Sequence, residues 1–532
     1  MASTTTSVTL ATATFLATFF WVLFLVFDYR TRTKKPSLLT SIMLFGHLWL
    51  AALFLATAKI AQDSPDPFLV WFSFLLIFRH YKTVINLVFY FRYKPAVPTP
   101  RFDLSPRKTT VIVPTVGPEG NPAFDEMVGG ILYNKSERLI FSTATEDGEK
   151  RVETRLLKIK ADLEKGTSAY QTERTLPPLD VNQTVIQIVS VKVASKREQF
   201  VRALKQVNTE IVVSADDTVV WQPTFLSATL PAFASEKVAL IGTRKWVKRL
   251  PGPAPDASLS WLTNAWNTYW FGFRNAICAT YLIRQNFEAR ATNAADGGVF
   301  TISGRTLLVR SQIVQDHVFQ HEYLNEYILG GRIGPINADD DNFLTRWVSS
   351  HGHHIKFQWS EEATITTILG QDGWRRYIQQ CKRWCRTTFR QNPLVLFSDR
   401  TAWWTHPLTI WTTYFPWLYN AALIWDPLMV GTFWLTKFYQ ESEHRNALTA
   451  GLIGFIWATK FIKTAPWFWK YPQDFFLYFF PIPVWFLFVY GHSALKIFSA
   501  LTFWDLAWTG RKLPTLTEPV KKNAKNGQAV PA

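Results

Sequence analysis

Between Lys108 and about Asn392, short apolar runs alternate with longer polar stretches of helical character. Thr109-Thr110-Val111-Ile112-Val113-Pro114-Thr115 is a β-branched run that stops at a proline, and Arg138 to Thr143, Thr184 to Val193 and Thr209 to Ser214 repeat the pattern. Strands separated by helices predict a mainly parallel sheet, with ligands gathered at the carboxyl ends of the strands. Acidic residues stand at those ends: Glu146 and Asp147 beyond one strand, Asp216 and Asp217 directly after another.

On either side of this block the pattern changes. Apolar runs from about Leu10 to Phe27, Leu38 to Ala58 and Phe68 to Phe91 precede it, and Trp403 to Trp425, Pro427 to Phe438, Ala447 to Ile462 and Phe475 to Tyr490 follow it. Most approach the length of a bilayer span; the run from Pro427 is short, and Arg79-His80-Tyr81-Lys82 interrupts the third. The first run lacks a basic leader and a small-residue cleavage site, which makes it a retained anchor. Arg30, Arg32, Lys34 and Lys35 follow it and place that loop in the cytosol. Three N-terminal and four C-terminal crossings then leave both the central block and the basic tail cytosolic. The expected organisation is about three transmembrane helices over 1–94, a proline-punctuated linker over 95–107, an α/β domain over 108–371, an amphipathic interfacial helix over 372–400, about four transmembrane helices over 401–500, and a segment with a disordered basic tail over 501–532.

Composition agrees with that layout. Hydrophobic residues make up 48% of the 532 positions and aromatic residues 16%, too apolar for an ordinary soluble enzyme. The net charge of +17 is spread along the chain and flanks the apolar runs, so it reads as topology signals and phosphate binders; no nucleic acid is implied. Three cysteines, Cys278, Cys381 and Cys385, exclude a disulfide framework and a four-cysteine zinc site. His351-Gly352-His353-His354 runs straight into the alternating Ile355 to Trp359 and reads as a turn at a strand edge.

Several short stretches carry chemistry. Asp216 and Asp217 form either a solvated turn or, relieved of their repulsion by a divalent cation, a metal site with oxygen ligands. Asp339-Asp340-Asp341 opens the amphipathic stretch Phe343 to Val348; capping explains one aspartate, and mutual repulsion would raise a pKa toward that of a general base. Lys196 and Arg197 open a helix after a strand, where they either face solvent or meet a nucleotide. The helix Trp374 to Arg390 is amphipathic and strongly basic. On it Gln380, Arg383 and Trp384 share one face and offer an amide, a guanidinium and an indole to one ligand.

The ordered set of Pro114-Thr115, Glu146-Asp147, Lys196-Arg197, Asp216-Asp217, Gly304-Arg305, Asp339-Asp340-Asp341 and Gln380 to Trp384 resembles the processive membrane glycosyltransferases of family two: hyaluronan, chitin and cellulose synthases and, more closely, the fungal type 2 glycosyltransferases. The resemblance covers roughly Lys108 to Arg400 and the flanking membrane layout. It implies a GT-A-like cytosolic α/β domain with a mainly parallel sheet, inserted between transmembrane helices, a nucleotide-sugar donor, usually a UDP-sugar, and Mg²⁺ or Mn²⁺. It further implies a growing polysaccharide acceptor extruded through the enzyme's own helices, and a plasma-membrane location. Carried over by position, Pro114, Thr115, Glu146, Asp147, Lys196, Arg197 and Asp216 would bind the donor, with Asp147 on the uridine. Asp217, with Asp216 beside it, would hold the metal. Asp341 would be the general base with Asp340 beside it, and Gln380, Arg383 and Trp384 would hold the diphosphate and acceptor end. Ser303, Gly304 and Arg305 would form the loop under the acceptor.

Two positions depart from the family pattern. Ala215 replaces the first aspartate of the usual Asp-x-Asp, and Trp508-Thr509-Gly510-Arg511 reorders a Trp-Gly-Thr-Arg gating loop. The resemblance leaves two rival readings open, transfer of one sugar to a lipid, as in a ceramide glucosyltransferase-like enzyme, and a non-catalytic transporter or scaffold. The sequons Asn134-Lys135-Ser136 and Asn182-Gln183-Thr184 test the orientation. Both are expected to stay unmodified in a eukaryotic secretory host, and a glycan on either, seen as an enzyme-sensitive mobility shift, overturns the cytosolic placement.

Overall fold

The computed structural model describes residues 47–99, 102–192, 195–480 and 482–506. The run from Leu10 to Phe27, the basic loop after it, and Trp508 to Arg511 with the tail lie outside the described residues. Two helices come first, α1 (His47–Asp63) and α2 (Pro67–Arg92). A single nine-stranded sheet follows, formed by β1 (Thr109–Thr115), β2 (Arg138–Thr143), β3 (Val185–Ser190), β4 (Ile211–Ala215), β5 (Val219–Trp221), β6 (Val238–Val247), β7 (Thr306–Arg310), β8 (His354–Gln358) and β9 (Thr364–Thr367). The strands the sequence marks at Thr109, Arg138, Thr184 and Thr209 are β1 to β4.

The sheet is mixed. Its order is β3-β2-β1-β4-β7-β6-β9-β5, with β8 also paired to β6. β3, β2, β1 and β4 run parallel, and so does β6 with β8 and β9, so most pairs are parallel as expected; the exceptions are β7, antiparallel to both its neighbours, and β5, antiparallel to β9. The reversal has a local consequence: β7 starts beside the end of β4, and the Asp216 N–H donates to the Arg305 carbonyl at 2.8 Å. The loop 303–305 is thereby tied to the carboxyl end of β4.

Both faces of the sheet are covered. Val111, Val113, Phe141 and Val213 pack on one side against α3 (Phe124–Tyr133) and α4 (Glu146–Lys165). Ile112, Ile140 and Val212 pack on the other against α5 (Lys196–Leu204) and, further along, α7 (Asp340–Ser350). Alternate residues of one strand serve opposite cores, which explains runs with no polar gaps.

Between β6 and β7 lies α6 (Trp261–Asp296), a 36-residue helix whose side chains grip the sheet through its backbone. Asn275, Asn286 and Asn293 recur at spacings that keep them on one helical face. The Asn286 side chain accepts from the Lys245 N–H at 3.0 Å and donates to the Lys245 carbonyl at 2.7 Å. Asn293 does the same between the Phe357 N–H and the Ile355 carbonyl, and Asn275 between the Leu250 N–H and the Leu369 carbonyl. Each amide replaces a missing strand neighbour where β6, β8 and the end of β9 would leave buried peptide groups unpaired.

The C-terminal apolar region is less regular than its composition suggests. Trp403 to Trp425, expected as one span, breaks after His406 and again at Asn420-Ala421, with a π-turn at Ile410–Tyr414 between. Pro407 and Pro416 lack the N–H that a continuous helix needs. The segment instead wraps the α/β domain: Thr409 bonds both carboxylate oxygens of Asp296, and the Tyr414 hydroxyl donates to the Val299 carbonyl at 3.0 Å. Before it lies α8 (Gly373–Pro393), and α9 (Ala422–Trp434), α10 (Arg445–Ile462) and α11 (Ile482–Ala500) follow. Among the described residues one helix, α2, is long and apolar enough to cross a membrane by length and composition.

The structure also refines the sequon test. Asn134 is buried, donating to the Gly130 and Gln222 carbonyls at 2.8 Å and accepting from the Leu226 N–H, so only the exposed Asn182 reports on orientation. Replacing Asn286 with Leu strands two buried peptide groups of β6 at about 1–3 kcal/mol each. A lower thermal midpoint for detergent-purified N286L than for wild type is the expected result; an unchanged midpoint would show that the clasp contributes nothing.

Candidate active site

The first residue of α5 is set by Ser195, whose Oγ accepts from the Glu198 N–H at 3.3 Å. Lys196 then reaches across the end of the sheet. Its Nζ lies 2.9 Å from Asp216 Oδ1 and 2.9 Å from Asp340 Oδ2, and donates to the Gly304 carbonyl at 3.2 Å. Burial by itself disfavours the ammonium, but the two carboxylates outweigh it and hold its pKa above the usual lysine value. Lys196 is thus a fixed cation between the end of β4 and the start of α7.

The three consecutive aspartates have three different environments. Asp339 sits in the left-handed region at φ 63° and its buried carboxylate receives Arg390 Nε at 2.7 Å and Nη2 at 2.9 Å, with a further bond from the Thr387 hydroxyl. Burial would raise its pKa; the Arg390 pairing outweighs burial and lowers it. Asp340 faces Lys196. Asp341 accepts from the Gly304 N–H at 2.9 Å through Oδ2, and from the Asn342 N–H and side-chain amide through Oδ1. Burial and then the neighbouring Asp340 charge raise its pKa above the usual carboxylate value, against the Gly304 N–H and Lys196. Gly304 lies close against both groups: a Cβ there would stand 3.2 Å from Asp341 Cβ and 3.3 Å from Lys196 Nζ, so any larger residue would press on the site.

Asp217 is buried beside Asp216, and the Thr115 hydroxyl donates to its Oδ2 at 2.6 Å. Above these carboxylates α8 presents Gln380, Arg383 and Trp384. Trp384 stacks on Tyr281 with ring centroids 5.4 Å apart, and the Arg305 guanidinium lies 5.1 Å from its ring centroid. Two cavities meet under this face. An outer cleft of about 1080 Å³ is lined by residues 118–123, Lys150, Arg151 and Arg376; an inner one of about 320 Å³ holds Thr115, Asp217, Lys245, Ser303, Gly304 and residues 339–341. Asp216, Thr218, Arg305, Arg376, Gln380, Arg383 and Trp384 line both. The outer cleft is large enough for a nucleotide, and the inner one for a sugar-sized group.

A family profile described as glycosyltransferase-like family 2 matches residues 164–387. A type 2 glycosyltransferase of Gibberella zeae is 30% identical over 453 residues, spanning 83% of this chain and 74% of the relative. The chain belongs to glycosyltransferase family 2. An NDP-glycosyltransferase of Aspergillus luteorubrus is 28% identical over 60% of the chain and 70% of its own length. Among solved structures, a mannosyltransferase of Pyrobaculum calidifontis in complex with GDP-Man and Mn²⁺ aligns over 81% of the chain and 98% of that structure, at 15% identity and a TM-score of 0.42. The chain is therefore a glycosyltransferase, and its sheet is mixed α/β.

Some expected residues of this glycosyltransferase stand away from the cavities. Arg197 is buried behind the site. Its guanidinium donates to Glu326 and the Ala338 carbonyl at 2.6 and 2.7 Å and to the Tyr323 carbonyl, so it shapes the loop before Asp339 and does not reach a nucleotide. Glu146 and Asp147 open α4 after the Thr145 cap and line neither cavity; Asp147 pairs with Arg151, which also meets Glu119 at 3.2 Å. A uridine contact from Asp147 is not supported by this placement. Pro114 and Thr115 do line the inner cavity, where Thr115 orients Asp217.

Other lining residues escaped the sequence reading. Lys245 on β6 is buried, donates to Gln285 Oε1 at 2.8 Å, and has its pKa pushed down to about 7 by burial and then by Arg305. Arg244-Lys245 inside a strand buried along its whole length was the available signal. Tyr281, Gln285 and Trp417 come from elements that periodicity did not mark as part of the site. Cys381 and Cys385 are free and buried.

Removing one member of the Asp339–Arg390 pair leaves a buried charge without its partner, a loss of about 3–5 kcal/mol. R390M and D339N should each lower the unfolding midpoint strongly, and the double variant should lose less than the sum. Strict additivity in that cycle would show that the two groups do not interact.

Proposed function

We propose that this glycosyltransferase is an inverting, metal-dependent enzyme of the plasma membrane, akin to the hyaluronan, chitin and cellulose synthases. In this reading it polymerises a UDP-sugar on its cytosolic side into an extracellular or cell-wall polysaccharide that leaves through its own helices. One observation carries this reading: Asp341, Asp216-Asp217 and the Gln380-Arg383-Trp384 face converge on one inner cavity, whose far wall is Tyr281, Gln285 and Trp417. Those last three residues also line a cavity among α2, α6, α10 and α11, so the transfer site adjoins the helices across a single layer of side chains. Exposed apolar residues on α2 (Ile77, Val84 and Phe91) and on α9 to α11 (Leu428, Phe455 and Phe498) suit a lipid surroundings.

Asp216 and Asp217 fit a hard divalent cation by their oxygen donors and their place on the cavity wall. Among the described residues no group of three or more such side chains is disposed to hold a metal alone, so the donor's diphosphate oxygens would complete the set. Bound there, Mg²⁺ or Mn²⁺ would supply positive charge to the departing diphosphate. Arg383 and Arg305 add fixed positive charge from the protein side. Asp341, held by the Gly304 N–H and with a raised pKa, takes the proton of the acceptor hydroxyl as that oxygen attacks the anomeric carbon. A single displacement inverts the centre. Trp384, stacked on Tyr281, offers an aromatic wall to the acceptor sugar.

The runner-up is transfer of one sugar to a lipid acceptor, favoured by the same apolar surroundings. Purified protein in nanodiscs, given a panel of UDP-sugars with Mn²⁺, should release UDP and yield a polymer; a discrete glycolipid selects the runner-up, and no turnover with any donor sinks both. D341N should lower transfer by roughly 10²- to 10⁴-fold while UDP binding persists. The transfer rate should rise with pH through the elevated Asp341 pKa. D340N, which removes the neighbouring negative charge, should move that limb to lower pH, and an unmoved limb would mean another group is the base.

A further inference from the structure

Behind the transfer site, separated from it only by Tyr281, Gln285 and Trp417, lies a second cavity of about 230 Å³. Its lining is unusual for a space among apolar helices. Arg79 and Lys82 enter from α2, Arg284 from α6, Lys460 and Lys463 around the end of α10, and Lys496 from α11. One lining carboxylate, Glu288, stands against these six cations, and it is engaged by Lys463. Asp426, behind the wall, is taken by Lys460 and Arg79.

Three basic side chains remain without a carboxylate of their own among the described residues. Lys496 donates to the Asn420 carbonyl at 3.0 Å and lies 4.4 Å from the Trp417 ring centroid. Arg284 meets the His492 ring at 3.0 Å and lies over Tyr281. Lys82 shares the field of Glu288 with Lys463 and Arg284. Basic groups gathered in an enclosed space hold their charge only where an anion joins them, and otherwise give up protons. A neutral sugar chain does not supply that anion.

We infer that this cavity binds a phosphate, the head group of a lipid primer on which sugars are added. Three features favour a lipid source: the cavity is enclosed by helices whose outer faces are apolar, it is too small for a long chain, and it adjoins the transfer centre at the Trp417 neck. The inference rests on the transfer-site and membrane reading above, and it adds a lipid primer to it.

The test uses full-length protein in neutral detergent and three probes: dodecyl phosphate, dodecanol and inorganic phosphate. Binding is followed by the thermal midpoint and by Trp fluorescence. Dodecyl phosphate should bind at least tenfold more tightly than either other probe, and K82Q and K496Q should each weaken it about tenfold, with UDP affinity unchanged. Equal binding of dodecanol overturns the anion site. Equal binding of inorganic phosphate overturns the lipid assignment. Both comparisons are made on the wild-type protein, so they stand even if a variant fails to fold. UDP-sugar turnover on the same preparation separates the two readings: its absence with selective dodecyl phosphate binding intact removes the transfer-site reading and leaves a lipid-phosphate site.

Discussion

Asp339 and Arg390 meet where neither touches solvent, and each belongs to a different half of the site. Asp339 precedes α7, whose first turn carries Asp340 and Asp341; Arg390 lies on α8, which carries Gln380, Arg383 and Trp384 two to three turns earlier. A bidentate guanidinium–carboxylate pair fixes orientation as well as distance. The position of the base relative to the diphosphate-facing side chains is therefore a property of one buried contact. Arg197 and Glu326 brace the same loop from the other side, and Arg346 ties Glu326 to Asp399 beyond α8. The strained φ of Asp339 persists because these contacts over-determine it.

The carboxylates of the cavity are balanced by cations placed at different depths. Lys196 neutralises Asp216 and Asp340 and leaves Asp341 with its raised pKa. Lys245 sits deeper, beside Arg305 and, among the described residues, without a carboxylate bonded to it, and its pKa falls toward neutrality. Burial acts on both lysines in the same sense; what separates them is whether an anion stands within bonding distance. The site can thus hold a proton-accepting carboxylate and positive charge for a leaving diphosphate within one small volume.

The C-terminal apolar segment shows how composition can be right about character and silent about shape. Trp403 to Trp425 is as apolar as a span, yet Pro407, Pro416 and the polar contacts of Thr409 and Tyr414 fold it around the domain. Its Trp417 stacks on Phe300 and closes the wall between the two inner cavities. Likewise α8, read as a basic amphipathic helix, turns Arg386 and Arg390 inward to acidic partners.

By itself the sequence determined the first four strands, the helix that carries Gln380, Arg383 and Trp384, the aspartates at strand and helix ends, and the family. These are local: a period of two or 3.6, a proline stop, and a short spacing on one face specify them without reference to the rest of the chain. Only the tertiary structure decided which of three adjacent aspartates faces the cavity, that Arg197 is buried while Lys196 is not behind it, and that Glu146 and Asp147 stand aside. It also decided the antiparallel β7, the asparagine clasp of α6, and the entry of Lys245, Tyr281, Gln285 and Trp417 into the site. Those outcomes depend on partners a hundred or more residues away, such as Trp417 beside Tyr281, and on burial, which sets a charge's cost only once the neighbouring elements have closed around it.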